Sequence, residues 1–349
     1  MLFLLACAEM TGGMSVEDGA SNGPYSGGTS GERGDLTFWE PNIYPVDEAG
    51  WSLGFEAPVA VGSTIDVAVM DPDGYTLFGD EDDADDQLFV ELVDVAISDG
   101  GVFELAWSWS FTKLRAKKAG TAELTMELSN GAYDTLQLTA VEADGAELFV
   151  LEHDYDLVEV VADRGFSLRP LSTVRVGAQP LAGDTPLIGY DLLSWSEGQL
   201  LSGARDSERV NTRRLQALGT SGAATVTTDI GGTVELGTLD ADDPVELAVY
   251  ADEADAEPVE RLEGSTTSLL YVAGSDAQGR WVLGSNDDYS SSWATVVDGD
   301  VDLLDSKRTW GRWVLYACEG SGRVELGWLG TTLQLPIEVD ADEAHVDCS

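Results

Sequence analysis

The run Asp80-Glu81-Asp82-Asp83-Ala84-Asp85-Asp86 is the sharpest charge feature of the chain. Ca²⁺ takes about six to eight oxygen ligands, and Asp80, Asp82, Asp83, Asp85 and Asp86 could supply carboxylates, with Asp71 and Asp73 shortly before them. The spacing lacks the turn glycine and distal glutamate of an EF-hand. A solvated acidic loop is therefore the simpler reading and Ca²⁺ the alternative; Asn286-Asp287-Asp288 is a weaker relative. A second candidate chemistry is aromatic. Trp281, Trp293, Trp310, Trp313 and Trp328 crowd the last hundred residues. If Trp310 and Trp313 share one strand, they face opposite sides, leaving one free to stack on a sugar ring; packing in a core is the simpler fate of large aromatics. The two histidines, His153 and His345, sit beside carboxylates and read as solvated loop residues. There is no Gly-x-Ser-x-Gly and no His-Glu-x-x-His, so hydrolase machinery lacks its parts. With 64 acidic residues, any pair of carboxylates is uninformative. No catalytic residue is assigned, and an enzyme is not expected.

The cysteines are Cys7, Cys318 and Cys348, with no Cys-x-x-Cys, which argues against zinc. Leu4-Leu5-Ala6-Cys7 resembles a bacterial lipobox. In that family a peptidase cleaves before the cysteine and the sulfur is diacylated, so the resemblance implies a lipid on Cys7 and attachment to a membrane. No Lys or Arg precedes Cys7 and the apolar run is short, so the true start codon is expected upstream. Residues 8–33 are rich in Gly, Ser and Thr and read as a flexible tether. Ala8 follows the cysteine; by resemblance to Gram-negative lipoproteins this implies the outer membrane or cell surface. Once Cys7 carries lipid, Cys318 and Cys348 remain, and an oxidising compartment would join them. Closing that loop is worth roughly 3–4 kcal/mol in the chain-entropy model.

The elements that must hold these residues read as strands. Ala122, Leu124, Met126 and Leu128 alternate with Glu123, Thr125 and Glu127, the pattern of a half-buried strand. Ile65, Val67 and Val69 alternate with Asp66 and Ala68, and Leu333, Leu335, Ile337 and Val339 with Gln334, Pro336 and Glu338. Pro336 lacks an amide donor, which places it at an edge or a bulge. Asp71-Pro72-Asp73-Gly74 and Gly231-Gly232 are turn signals, and no long helical period appears.

A repeat runs through the chain. Ala116 to Gly120, Ala217 to Gly222 and Ala317 to Gly320 each read as Ala, a short turn, Gly and then an alternating strand. The closes Val141-Glu142-Ala143-Asp144, Leu239-Asp240-Ala241-Asp242 and Val339-Asp340-Ala341-Asp342 put their final Asp 98 and then 100 positions apart. That period is the size of an immunoglobulin-type sandwich. The expected fold is all-β: three tandem immunoglobulin-like β-sandwiches, over 34–144, 145–243 and 244–349, after the flexible N-terminal tether. Val59-Ala60-Val61-Gly62-Ser63-Thr64, Ser98-Asp99 and Leu114-Arg115-Ala116-Lys117-Lys118-Ala119-Gly120-Thr121-Ala122 together resemble the bacterial Ig-like (group 2) domain. The resemblance is fair in 34–144, weaker in 145–243 and weakest in 244–349. It implies surface display, adhesion or spacing, and it carries no catalytic residues.

Charge bounds the partners. The net charge is −46, with 18 basic residues of which only Lys113, Lys117, Lys118 and Lys307 are lysines. Such a surface repels phosphate backbones, so nucleic acid is excluded as a partner. The expected partners are a membrane, through the N-terminal lipid, and a protein or glycan ligand that the sequence does not name. No cofactor is expected apart from the alternative of Ca²⁺.

Overall fold

A computed structural model describes residues 28–42, 54–70, 92–107, 112–151, 165–206, 209–250, 258–264, 267–284, 293–299, 303–309, 312–317 and 320–339. Every element among these is a strand or a turn. The alternating segments of the sequence become strands because one face of each must leave water while the backbone stays hydrogen-bonded to neighbours.

The first strand set is β1 (Thr29–Ser30), β2 (Thr37–Trp39), β3 (Val59–Ala60), β4 (Thr64–Met70), β5 (Leu92–Ile97), β6 (Phe103–Trp107), β7 (Thr112–Ala116), β8 (Gly120–Leu128) and β9 (Tyr133–Val141). It forms two sheets, ordered β1-β2-β4-β7-β6 and β3-β9-β8-β5. The second set is β10 (Gly145–Leu151), β11 (Phe166–Leu168), β12 (Thr173–Ala182), β13 (Thr185–Pro186), β14 (Trp195–Ser196), β15 (Leu201–Arg205), β16 (Thr212–Ala217), β17 (Gly222–Thr228) and β18 (Gly231–Thr238). Its sheets run β10-β12-β16-β15 and β14-β17-β18-β11. The third is β19 (Glu246–Tyr250), β20 (Leu262–Gly264), β21 (Thr267–Ser275), β22 (Trp281–Leu283), β23 (Trp293–Gly299), β24 (Leu303–Thr309), β25 (Arg312–Ala317), β26 (Gly320–Trp328) and β27 (Thr331–Val339). Its sheets run β20-β27-β26-β23 and, with β19 pairing β21, β22-β21-β25-β24.

The same plan recurs in each set. A short strand (β3, β11, β20) lies parallel to the last strand of its set (β9, β18, β27). That last strand forms an antiparallel hairpin with its predecessor. The Ala-to-Gly repeat is the place where the chain leaves one sheet, at the end of β7, β16 or β25, and enters the other, at the start of β8, β17 or β26. Two sheets, antiparallel apart from that short strand, joined in this order make an immunoglobulin-like sandwich.

Three apolar clusters fill the sandwiches, around Phe38, Phe103 and Leu124, around Leu168, Val176 and Leu236, and around Val249, Leu326 and Ile337. Ala122, Leu124, Met126 and Leu128 all point inward, as their alternation requires. Two clusters borrow residues from the following set: Ile188 packs into the first, and Ala273, Trp281 and Leu283 into the second. Pro336 is exposed on β27, where the parallel neighbour β20 covers only Ile337 to Val339.

The stretch expected to be a tether ends in ordered structure. Thr29 and Ser30 pair with β2, and Asp134, wholly buried on β9, accepts the backbone amides of Arg33, Asp35 and Leu36 at 2.8, 2.8 and 3.1 Å. Burial disfavours the charged carboxylate, but these amides and that of Thr135 outweigh it and hold the Asp134 pKa below the usual carboxylate value.

Candidate functional site

The most developed polar arrangement sits where the second sandwich meets the first. Four elements build it. β2 ends at Trp39 and delivers Glu40, which is 1% exposed, and Asn42. β4 supplies Asp66 and β7 supplies Lys113. After the β12–β13 hairpin the chain of the second set runs out as an arm through Leu187, Ile188 and Tyr190, all buried. Alternation along β4 placed Asp66 on a solvent face, but Tyr190 of the arm and Asn42 both bond its side chain, and Ile65 through Val69 are all buried.

The side chains interlock. Asn42 Nδ2 donates to Glu40 Oε1 at 2.6 Å and to Asp66 Oδ2 at 3.1 Å, while the backbone amide of Asp66 donates to Glu40 Oε2 at 3.2 Å. Lys113 Nζ lies 3.0 Å from Asp66 Oδ1 and donates to the Tyr190 hydroxyl at 2.8 Å. Tyr190 in turn donates to Asp66 Oδ1 at 3.0 Å. Burial pushes the Glu40 pKa up to about 8 against the bonds from Asn42, with the Asp66 charge adding to the rise, which favours the neutral acid at pH 7. Burial likewise pushes the Tyr190 phenol up to about 12. Burial works against the Lys113 charge, but its bonds to Tyr190 and Asp66 prevail and raise its pKa. A neutral acid, an ion pair and a phenol that satisfy one another across a junction act as a latch between two sandwiches.

The backbone reinforces the latch. The Ile188 amide donates to the Pro58 carbonyl and the Ala60 amide to the Ile188 carbonyl, both at 2.9 Å, so Ile188 adds to the free edge of β3 in parallel. Thr64 and Tyr190 exchange a second pair at 2.9 and 2.8 Å. Gly189, between them, has φ +116 and lies so close that a Cβ there would overlap the Ser63 hydroxyl.

The junction of the second and third sandwiches repeats the device. The arm after β21 is β22, which pairs in parallel with β11, Phe166 opposite Trp281 and Leu168 opposite Leu283. The Trp281 amide donates to the Gly165 carbonyl and the Arg169 amide to the Leu283 carbonyl, both at 3.0 Å. One continuous sheet therefore runs from the second sandwich into the third. Here too a carboxylate supports the arm. Asp276 is buried, which opposes its charge, but bonds from Ser167, Arg280 and Gln278 prevail and lower its pKa. Ser167 Oγ donates to Asp276 Oδ2 at 2.6 Å and Arg280 Nε to the same oxygen at 2.8 Å. Arg169 Nη1 donates to the Ala241 carbonyl at 3.0 Å, fastening the connection between the two sandwiches.

The residues singled out from sequence fall elsewhere. Cys7, Cys318, Cys348, Asp80, Asp82, Asp83, Asp85, Asp86 and Trp310 lie outside the described residues, as do His153 and His345. Trp313 lies on β25 opposite Arg308 of β24. Among the described residues no three His, Cys, Asp or Glu side chains gather as a metal site. Trp281 and Trp328 are core residues. Trp293 is not: it is 42% exposed on β23 and rests against Gly327, where a Cβ would collide with its ring.

No family model and no curated protein matches the chain. Solved structures that align with it include FdeC, an Escherichia coli adhesin, at 12% identity over 81% of this chain and 94% of that one, with a TM-score of 0.24. The bacterial integrin-binding protein invasin aligns at 15% identity, over 87% of this chain and 60% of that one, with a TM-score of 0.22. An endo-fucoidan hydrolase aligns at 12% identity, over 81% and 42%, with a TM-score of 0.21. The chain thus spans less than two thirds of the latter two. At these scores nothing about activity follows from the likeness, and the assignment of immunoglobulin-like sandwiches rests on strand order.

Proposed function

We propose that this chain is a non-enzymatic protein of the cell envelope, held by lipid on Cys7, whose three immunoglobulin-like units form a stiff spacer that presents a binding surface outside the membrane. The two welded junctions carry this reading: backbone bridges join the first sandwich to the second, one sheet runs from the second into the third, and side chains are buried across both, which suits holding a surface at a fixed distance. The units are proposed to be 34–144, extended at its start by the strand Thr29–Ser30, 145–243 and 244–349, the last closed by a Cys318–Cys348 disulfide, and the run from Asp80 to Asp86 is a solvated loop or a Ca²⁺ ligand set. The acidic surface suits neutral or basic ligands.

The test is metabolic labelling with an alkyne-bearing palmitate, in a Gram-negative host, of the gene with its native upstream sequence. Wild type is expected in the membrane fraction with label, and Cys7→Ser without label. Unlabelled wild type in the cytosol contradicts the proposal. Melting with and without Ca²⁺ settles the acidic run: an unchanged midpoint assigns it to solvent.

A second reading, glycan binding, is favoured by one observation, the exposed ring of Trp293 seated against Gly327. An exposed indole face can stack on a sugar ring. On a glycan array the reading requires a signal that Trp293→Ala removes; no signal, or one unaffected by that substitution, ends it. Trp310→Ala and Trp313→Ala test the two tryptophans that the sequence brought forward.

A further inference from the structure

The short strand that runs parallel to the last strand of each set has two edges. One is always taken by that last strand. In the first set the other edge is taken by Ile188 of the second, and in the second set by β22 of the third. In both cases the incoming segment follows the second long strand of its own sandwich, runs parallel, is apolar (Leu187 and Ile188; Trp281, Val282 and Leu283) and is buried by the addition. In the third set β20 pairs with β27 through Leu262 opposite Ile337, Glu263 opposite Glu338 and Gly264 opposite Val339. No described strand occupies the other edge of β20.

We infer that the outer edge of β20 is a strand-addition site, and that its occupant is the apolar arm of an immunoglobulin-like unit outside residues 1–349, docking parallel as β22 docks on β11. An unpaired strand edge is a template for a further strand, with backbone bonds giving affinity and side-chain alternation giving selectivity. The chain itself states the chemistry of the occupant twice. Two observations argue against a second copy. The described arms of this chain are already engaged, and each copy carries a net charge of −46, so like copies repel. This inference stands on junction geometry and holds whether or not lipid tethers the chain.

The test is residue-resolved amide exchange on the full chain, with a synthetic peptide of residues 277–284, the β22 arm, as probe. Saturating peptide is expected to slow exchange severalfold within Leu262–Gly264 and to leave Ala60 and Arg169, whose edges are filled, unchanged. No slowing, or equal slowing with a scrambled peptide, overturns the proposal. Full protection without peptide at every protein concentration shows that the chain covers its own edge and also overturns it. Protection that grows with protein concentration alone assigns the edge to a second copy and overturns the foreign occupant.

Discussion

Glu40 is a carboxylic acid kept neutral by the fold, and this has a sign that can be checked. Its folded pKa of about 8 exceeds the value of 4.5 in an unfolded chain. Its contribution is therefore fully present below pH 4.5 and is lost as pH rises toward 8, at up to about 1.4 kcal/mol per pH unit. Glu40→Gln is expected to flatten the denaturant-midpoint profile between pH 5 and 8; an unchanged slope would refute the neutral acid. Asp134 works in the opposite sense: its lowered pKa contributes stability above the normal carboxylate range that is lost on acidification. A different carboxylate, Asp206, pairs with Arg175 Nε at 2.7 Å inside the second sandwich, both almost wholly buried. Asp206→Ala is expected to cost about 3–5 kcal/mol in equilibrium unfolding, because it leaves a guanidinium charge in the core without that carboxylate. Little of this was legible in the sequence. Asp66 alternates with apolar neighbours like any solvent-facing residue, and its face becomes an interior one through Asn42 and through an arm arriving from more than a hundred positions away.

The strands themselves were far more legible, because period-two alternation is local. The Ala-to-Gly landmark found by its repeat is the sheet-to-sheet crossing in all three sets. What the sequence did not disclose is the arm. Leu187-Ile188 and Trp281-Val282-Leu283 are short apolar segments of different composition, and their parallel partners Val59 and Phe166–Leu168 lie in the preceding set. No local period encodes a pairing across that distance. Trp281, weighed from sequence as a sugar platform or a core residue, is a core residue of the second cluster although it belongs to the third set. The arm has its own test. Gly189→Val puts a branched side chain into a left-handed conformation and onto Ser63, a strain of about 1–3 kcal/mol. The expected result is rapid amide exchange at Ala60 and Ile188 while the β8–β9 hairpin stays protected. Equal protection in the variant would show that the close approach of Gly189 does not matter.

For the molecule as a whole, the contrast is between independent beads and one welded body. A 100-residue period and Gly-rich turns are compatible with either. Independent beads would have separate cores and exposed junction amides. In the structure the first and second cores each take side chains from the next set, and backbone bonds cross both junctions. Residue-resolved amide exchange at Ala60, Arg169, Ile188 and Trp281 separates the two most directly, with the Gly62 amide, which donates to Ala116 within the first sandwich at 2.7 Å, as internal reference. Protection at the four junction amides comparable to that at Gly62 is expected. Exchange at the rate of an open loop at all four, with Gly62 still protected, would mean that the sandwiches move independently and that the weld does not exist in solution.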